Sequence, residues 1–265
     1  MGFFKKSILI LFLAMFLSVN AFTENIEGVN ALLKNIESML IDENVKYSAS
    51  IKIVRNKREI EYDLTIWMKN RDFVSKVEKP IVDKGTVFLN VNNNSWIYYP
   101  SIEKTIKSSN KQRILGSDFS FTDISSVNLL EDYDCKLVKL SSHEISEVKG
   151  FNPNMVEEFL ENGSIIEGIA KANKIVNYPK VRVYINSSDQ LIREEFYTIS
   201  GKLLGILSYE DYEDLGGKIK PKKLVMRTTL SMENYTILTY KKAAYEMNVP
   251  NYYFSESYMN KLSRI

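Results

Sequence analysis

The sequence predicts a mainly β protein of the α+β class, in which one amphipathic helix precedes a set of long antiparallel strands. Two periodicities indicate this. Between Ile26 and Leu40, apolar residues recur every three or four positions, which is the spacing of one helix face. From Val45 onward the interval becomes two, which is the spacing of a strand with one buried face.

The predicted first helix has one continuous apolar face, opposite a polar one. The apolar positions are Ile26, Val29, Leu32, Leu33, Ile36, Met39 and Leu40. Such a helix should pack this face on an apolar surface elsewhere in the protein.

The next two segments are predicted to form a β-hairpin with one dry face. The turn is expected at Asn56-Lys57-Arg58. Apolar residues alternate with polar ones on both sides of it, namely Tyr47, Ala49, Ile51 and Ile53 before the turn and Ile60, Tyr62, Leu64, Ile66 and Met68 after it.

Further strand-like runs occupy residues 181–185, 192–198, 203–212, 224–230 and 235–244, and turn-forming residues separate them. A meander of long antiparallel strands is the simplest arrangement. Two segments interrupt it. Residues 109–130 are predicted to form a loop with short helical turns, packed by Phe119 and Phe121, and residues 141–177 contain a second short helical pattern after Pro153.

The first 21 residues have the pattern of a cleavable secretory signal. Lys5 and Lys6 precede an apolar run from Ile8 to Val19 that only Ser18 interrupts, and small or branched residues stand at Val19-Asn20-Ala21. The apolar run is shorter than the ~20 residues that cross a bilayer, which disfavours the alternative of an uncleaved membrane anchor. The predicted organisation is a signal peptide over 1–21 and a single domain over 22–265.

Composition excludes several classes of function. Lys and Arg total 35 against 33 Asp and Glu, and loss of the two signal lysines leaves a mature chain without net charge, so a nucleic-acid binder is not expected. The single cysteine, Cys135, cannot form an internal disulfide. There is no Cys/His spacing for zinc, and we expect neither a metal nor a cofactor.

Catalytic patterns are weak. A hydrolase would need the only histidine, His143, beside a nucleophile such as Ser117, and no nucleophile-elbow sequence surrounds that serine. The neighbouring acids Glu194 and Glu195 point apart in a strand, so we interpret them as solvated side chains and not as a catalytic pair. The protein is not expected to be an enzyme.

Three motifs resemble one known family. They are Lys84-Gly85-Thr86, Trp96-Ile97-Tyr98-Tyr99-Pro100 and Gly116-Ser117-Asp118-Phe119-Ser120-Phe121. Their order and spacing are similar to those of the periplasmic outer-membrane lipoprotein-sorting proteins, relatives of the LolA and LolB carriers. The resemblance implies a half-open antiparallel β-barrel whose concave face is plugged by helices and holds acyl chains.

The resemblance also implies a location and partners. The protein would be a periplasmic monomer that binds acyl chains of lipoproteins or lipids, with an inner-membrane exporter of the resistance-nodulation-division (RND) type as a partner. The expected acyl-lining side chains are Ile51, Ile53, Tyr62, Leu64, Ile66, Met68, Phe119 and Phe121, and the expected lid residues on the first helix are Leu33, Ile36 and Leu40. Gly116, Ser117, Asp118 and Phe119, with Trp96, form the expected family motif.

On the alternating pattern alone, a filled β core explains the strands as well as a ligand cavity does. A second hypothesis is therefore an envelope interaction module with a filled core and no lipid cargo, which docks a partner through a sheet edge or through the face of Trp96.

Overall fold

A computed structural model describes residues 27–125, 127–139, 163–228, 233–245 and 248–265. The predicted signal peptide over 1–21, His143 and the helical pattern after Pro153 lie outside these residues. In the described part of the chain, no helix is long and apolar enough to span a membrane.

The described strands form one antiparallel sheet. They are β1 (Asp42–Arg55), β2 (Arg58–Asn70), β3 (Asp72–Lys79), β4 (Val87–Val91), β5 (Asn94–Tyr99), β6 (Lys104–Ser108), β7 (Tyr133–Val138), β8 (Ser164–Ala170), β9 (Lys180–Ile185), β10 (Leu191–Tyr197), β11 (Leu203–Asp214), β12 (Ile219–Thr228) and β13 (Tyr235–Ala244). The predicted hairpin is confirmed, with Asn56 and Lys57 as its turn, both at positive φ, while Arg58 already belongs to β2.

The strand order explains why the sheet stays open. It runs β6-β5-β4-β3-β2-β1-β13-β12-β11-β10-β9-β8-β7, so β1 and β13 join two meanders in the middle and β6 and β7 are the edges. These edge strands are consecutive in sequence. The segment between them, residues 109–132, therefore passes from one edge of the sheet to the other, and we call it the plug segment.

In its described residues, the plug segment contains short helical turns, as the sequence predicts. They are a 3-10 turn (Ile114–Gly116), α2 (Phe121–Ser125) and α3 (Leu129–Asp132). A preceding helix, α1, covers residues 27–40. Its apolar residues Val29, Leu33 and Ile36 share one buried cluster with Ile51 and Ile66 of the first hairpin. The predicted fold class, a curved antiparallel sheet with helices on its concave face, is confirmed.

The C-terminal residues cover the face of β2 to β5 that is opposite to α1 and the plug segment. Two 3-10 turns (Asn251–Phe254 and Glu256–Tyr258) and helix α4 (Met259–Arg264) lie on this face, and Met259 and Leu262 pack against Trp67, Val74 and Leu89. Gly85 lies beneath α4, because a Cβ there would stand 2.8 Å from the Ser263 hydroxyl. Its φ of +86° also favours glycine.

Candidate functional site

The concave face beneath α1 and the plug segment is closely packed. Of the predicted acyl-lining residues, Ile51, Ile66, Phe119 and Phe121 are 0% exposed and Leu64 is 2% exposed. A side chain with no accessible surface borders no space as large as a water molecule. An acyl chain can therefore reach these residues only if α1 or the plug segment moves.

The remaining predicted lining residues lie nearer the edge of the packed concave core. Ile53 is buried in the same cluster, and Tyr62 is half-buried and packs against it. Met68 borders a small crevice of about 30 Å³ at the C-terminal end of α1. The crevice is lined mainly by Met39, Leu40, Tyr47, Met68, Tyr209, Leu224 and Tyr240, and the charged Asp123 and Lys220 also border it.

The predicted lid residues occupy the expected helix face. Leu33 and Ile36 are buried on the sheet, whereas Leu40 is half-buried at the crevice. An ion pair of 2.7 Å joins Glu37 of α1 to Arg71 in the β2–β3 turn. Apolar packing, supplemented by this ion pair, thus holds α1 over the concave face.

The predicted Gly116-Ser117-Asp118-Phe119 motif anchors the plug segment. Gly116 adopts a φ of +68°. The buried Ser117 hydroxyl accepts a hydrogen bond from the Phe119 amide at 3.1 Å, which stabilises the local turn. The Asp118 carboxylate accepts from the Thr236 hydroxyl at 2.8 Å and pairs with Arg55 at 2.9 Å. These contacts fix the motif to β13 and β1, and they give Ser117 a structural role in the described residues.

The plug segment inserts its aromatic side chains into the concave core, as predicted. The Phe121 ring stacks on Phe73, with 6.0 Å between centroids, and lies 6.1 Å from the Phe88 centroid. Helix α2 begins after Ser120, whose amide donates to Asp123 at 2.6 Å. Ser120 with Asp123 therefore caps α2, as in a capping box.

Trp96 does not face the concave side. It packs with the cluster beneath the C-terminal helices, and Lys107 lies 5.9 Å from its ring centroid. This cluster contains Leu89, the cross-strand neighbour of Trp96. Trp96 therefore belongs to the packing of the convex face and not to an acyl-binding surface.

The interpretation of Glu194 and Glu195 as solvated is wrong. The two side chains do point to opposite faces, but they are only 5% and 4% exposed. Glu195 accepts from Tyr184 at 2.7 Å and pairs with Arg193. Glu194 lies on the concave side, where the Tyr209 hydroxyl donates to it at 3.1 Å.

Glu194 is the functional candidate that sequence reasoning missed. Burial raises the pKa of Glu194 from 4.5 to about 7, and the nearby Asp123 also raises it, while the Tyr209 hydrogen bond and Arg71 lower it. Burial likewise raises the pKa of Asp123, although hydrogen bonds from Ser120 and Tyr178 oppose this. Burial thus raises the pKa of both acids on the side of the sheet that α1 covers.

A larger pocket of about 550 Å³ lies beside the plug segment and differs in character. Its lining includes Arg71, Asn93, Asn110, Asn128 and Asn177. Val127, Val176 and Tyr178 also border it, so its lining is a mixture of polar and apolar side chains. No group of three or more His, Cys, Asp or Glu side chains in the described residues could hold a metal ion.

Solved structures share this fold. The LolA superfamily protein from Nitrosomonas europaea is 20% identical, with a TM-score of 0.69 over 86% of this chain and 98% of its own. A DUF1329 family protein from Desulfovibrio piger is 15% identical, with a TM-score of 0.73 over 89% and 99%. A putative outer membrane lipoprotein-sorting protein domain from Vibrio parahaemolyticus is 16% identical, with a TM-score of 0.70 over 87% and 97%.

The protein thus has the fold of the LolA-like lipoprotein-sorting proteins, as the sequence motifs indicate. A family model described as "Uncharacterized protein" matches residues 69–261, and the chain belongs to that family. No curated protein matches the sequence.

Proposed function

We propose that the protein is a secreted periplasmic carrier that binds acyl chains of lipoproteins or lipids and transfers them toward the outer membrane without covalent chemistry. The acyl chain lies on the concave face after α1 moves away. The fold shared with LolA-like proteins supports this proposal. Its central observation is an apolar concave surface covered by a separate amphipathic helix, with a crevice at the end of that helix.

The energies of the closed and loaded states are comparable. Burial of Val29, Leu33 and Ile36 by α1 is worth about 1.5–3 kcal/mol for each side chain. Each methylene of an acyl chain is worth roughly 0.8 kcal/mol when buried, so about eight methylenes replace what α1 loses. Exchange of α1 for an acyl chain on the same surface is therefore reversible, which a carrier requires.

In this proposal the chain enters at the crevice, between Leu40 of α1 and Met68 of β2. It then reaches the predicted lining residues Leu64, Ile66 and Ile51 as α1 is displaced. The signal peptide over 1–21 is removed, and residues 22–265 act as a single monomeric domain. An inner-membrane exporter of the RND type is the proposed partner that supplies the cargo.

One observation favours the interaction module as a second candidate. Ile51, Ile66, Phe119 and Phe121 border no free space, as in a permanently filled core. The two functions differ in whether the packed surface can exchange α1 for a ligand.

Native mass spectrometry of the protein purified from the periplasm distinguishes them. We expect a population with one bound amphiphile. Leu40→Glu, at the crevice, should abolish this loading, whereas Ser38→Glu, on the exposed side of the same helix, should keep it. An unliganded wild type that stays unliganded after incubation with lysophospholipid would favour the interaction module.

A further inference from the structure

We infer that the crevice mouth binds the anionic headgroup of an amphiphile, a carboxylate or a phosphate, through the ammonium groups of Lys218 and Lys220. This inference rests on the proposed function and specifies the class of cargo. It depends on an excess of positive charge next to an apolar crevice.

Lys220 is unusually buried for a lysine. Its side chain is 6% exposed and borders the crevice beside Leu40 and Leu224. Lysine is almost never buried unless it is paired. The partner is Asp42, which is 1% exposed and accepts a hydrogen bond from the Lys220 ammonium.

The single carboxylate of Asp42 contacts more than one ammonium group. The oxygen that accepts from Lys220 also accepts from the Tyr47 hydroxyl at 2.7 Å, and the other oxygen pairs with Lys218 at 3.1 Å. Two ammonium groups thus contact one carboxylate, an excess of one positive charge among these three groups. Asp214, which also lies near Tyr245, accepts from the Gly217 amide and pairs with neither lysine in the described residues. One lysine would suffice to neutralise Asp42, so the second is not explained by the internal ion pair.

Each of the two ammonium groups has N–H donors that do not bind Asp42. Each carries three N–H donors, and in the described part of the chain one from each goes to Asp42. Lys218 is 49% exposed and lies with its ammonium 4.6 Å from the Tyr245 ring centroid, at the solvent side of the group. An arriving anion can therefore contact Lys218 directly from solvent and bring its chain into the crevice.

The other charge at the crevice does not oppose this arrangement. Asp123 accepts from the Ser120 amide and hydroxyl on one oxygen and from the Tyr178 hydroxyl, at 2.8 Å, on the other. The Arg113 guanidinium lies 3.7 Å from it. Asp123 is thus already satisfied by Ser120, Arg113 and Tyr178, whereas Lys218 and Lys220 share one carboxylate.

The test compares three ligands that share one chain length, laurate, dodecyl phosphate and the uncharged monolaurin, by calorimetric titration of delipidated protein. A charge-assisted hydrogen bond is strong enough to predict that both anions bind at least about tenfold more tightly than monolaurin. Lys218→Gln and Lys220→Met should each bring this ratio toward one. Lys223→Gln is the matched control and should keep the ratio. Lys223 lies on β12, as Lys220 does, but it is next to the buried Leu224, so its side chain points to the opposite face of the sheet from Leu224.

The outcomes separate the inference from the proposed function. Equal affinity of the wild type for laurate and monolaurin overturns the inference and leaves the carrier function standing. Absence of binding by all three ligands overturns the carrier function itself. Inorganic phosphate should not displace dodecyl phosphate, and displacement at equal concentration would show a simple anion site and overturn the inference. If Lys220→Met does not fold, the half-exposed Lys218→Gln decides the result.

Discussion

Replacing Glu194 with glutamine should stabilise the protein at neutral and alkaline pH. In the native state the Glu194 carboxyl is buried on the concave face, and its pKa rises from 4.5 to about 7. In the unfolded chain the pKa returns to the ordinary value. The native state therefore retains a proton that the unfolded chain loses as the pH rises through 4.5 toward 7.

The magnitude follows from linkage. A group with a raised native pKa contributes stability below its unfolded pKa and loses that contribution as the pH rises through the native pKa. One pKa unit corresponds to about 1.4 kcal/mol, so the wild type loses about 3 kcal/mol through Glu194 between pH 4 and pH 8. Glutamine keeps an oxygen that can accept the Tyr209 hydroxyl, and it has no charge to desolvate.

The assay is urea unfolding of both proteins across this pH range. The stability difference, Glu194→Gln minus wild type, should grow by about 3 kcal/mol, with most of the change between pH 4.5 and 7. Tyr209→Phe removes a hydrogen bond that lowers the Glu194 pKa, so it should shift the transition to higher pH. A difference that stays constant with pH would refute the assignment of a buried, partly protonated Glu194.

Three further predictions concern the plug segment, α4 and the lid. Asp118→Ala removes the acceptor of the Thr236 hydroxyl and the ion-pair partner of Arg55. Urea unfolding should therefore show a loss of about 2–3 kcal/mol, and hydrogen exchange in 109–125 should accelerate. Unchanged exchange there would contradict the anchoring role. Gly85→Ala combines strain at positive φ with a contact to Ser263, so it should lower the free energy of unfolding more than Gly201→Ala does. Gly201 has a similar φ and open space around it. Equal unfolding midpoints of the two variants would count against the contact with α4. Leu33→Ala should lower the free energy of unfolding by about 2–5 kcal/mol. Because it weakens the closed state, it should also tighten the binding of dodecyl phosphate in titrations. Weaker binding would mean that Leu33 is not part of a lid.

Local patterns in the sequence predict α1 and the first hairpin correctly, but they do not predict the interior. They also miss β8, which lies within residues 141–177, a segment predicted to interrupt the meander. The spacing of Leu33 and Ile36 defines the buried face of α1, and the alternation through Ile51 and Leu64 defines the concave face of the first hairpin. Whether that face encloses space depends on which side chains meet there. Phe121 fills it by contact with Phe73, which lies on another strand. The sequence alone therefore could not distinguish a cavity from a filled core.

The polar features of the site depend on contacts between distant segments. Asp118 meets Thr236 across 118 positions of sequence, and Lys220 meets Asp42 across 178. The adjacent acids Glu194 and Glu195 suggested exposure, but their partners Tyr209 and Tyr184 come from neighbouring strands. The cap of α2 by Ser120 and Asp123 is the exception, because these two residues are only three positions apart.

Movement of α1 can be measured directly by pulsed electron spin resonance. Spin labels at Ser38, on the exposed side of α1, and at Lys57, in the exposed β1–β2 turn, report the separation of lid and sheet in a protein whose Cys135 is replaced by serine. We expect saturating dodecyl phosphate to shift the distance distribution, because α1 must leave the filled concave face to admit the chain. An unchanged distribution with the ligand bound would contradict the account, since the acyl chain would then lie elsewhere on the protein.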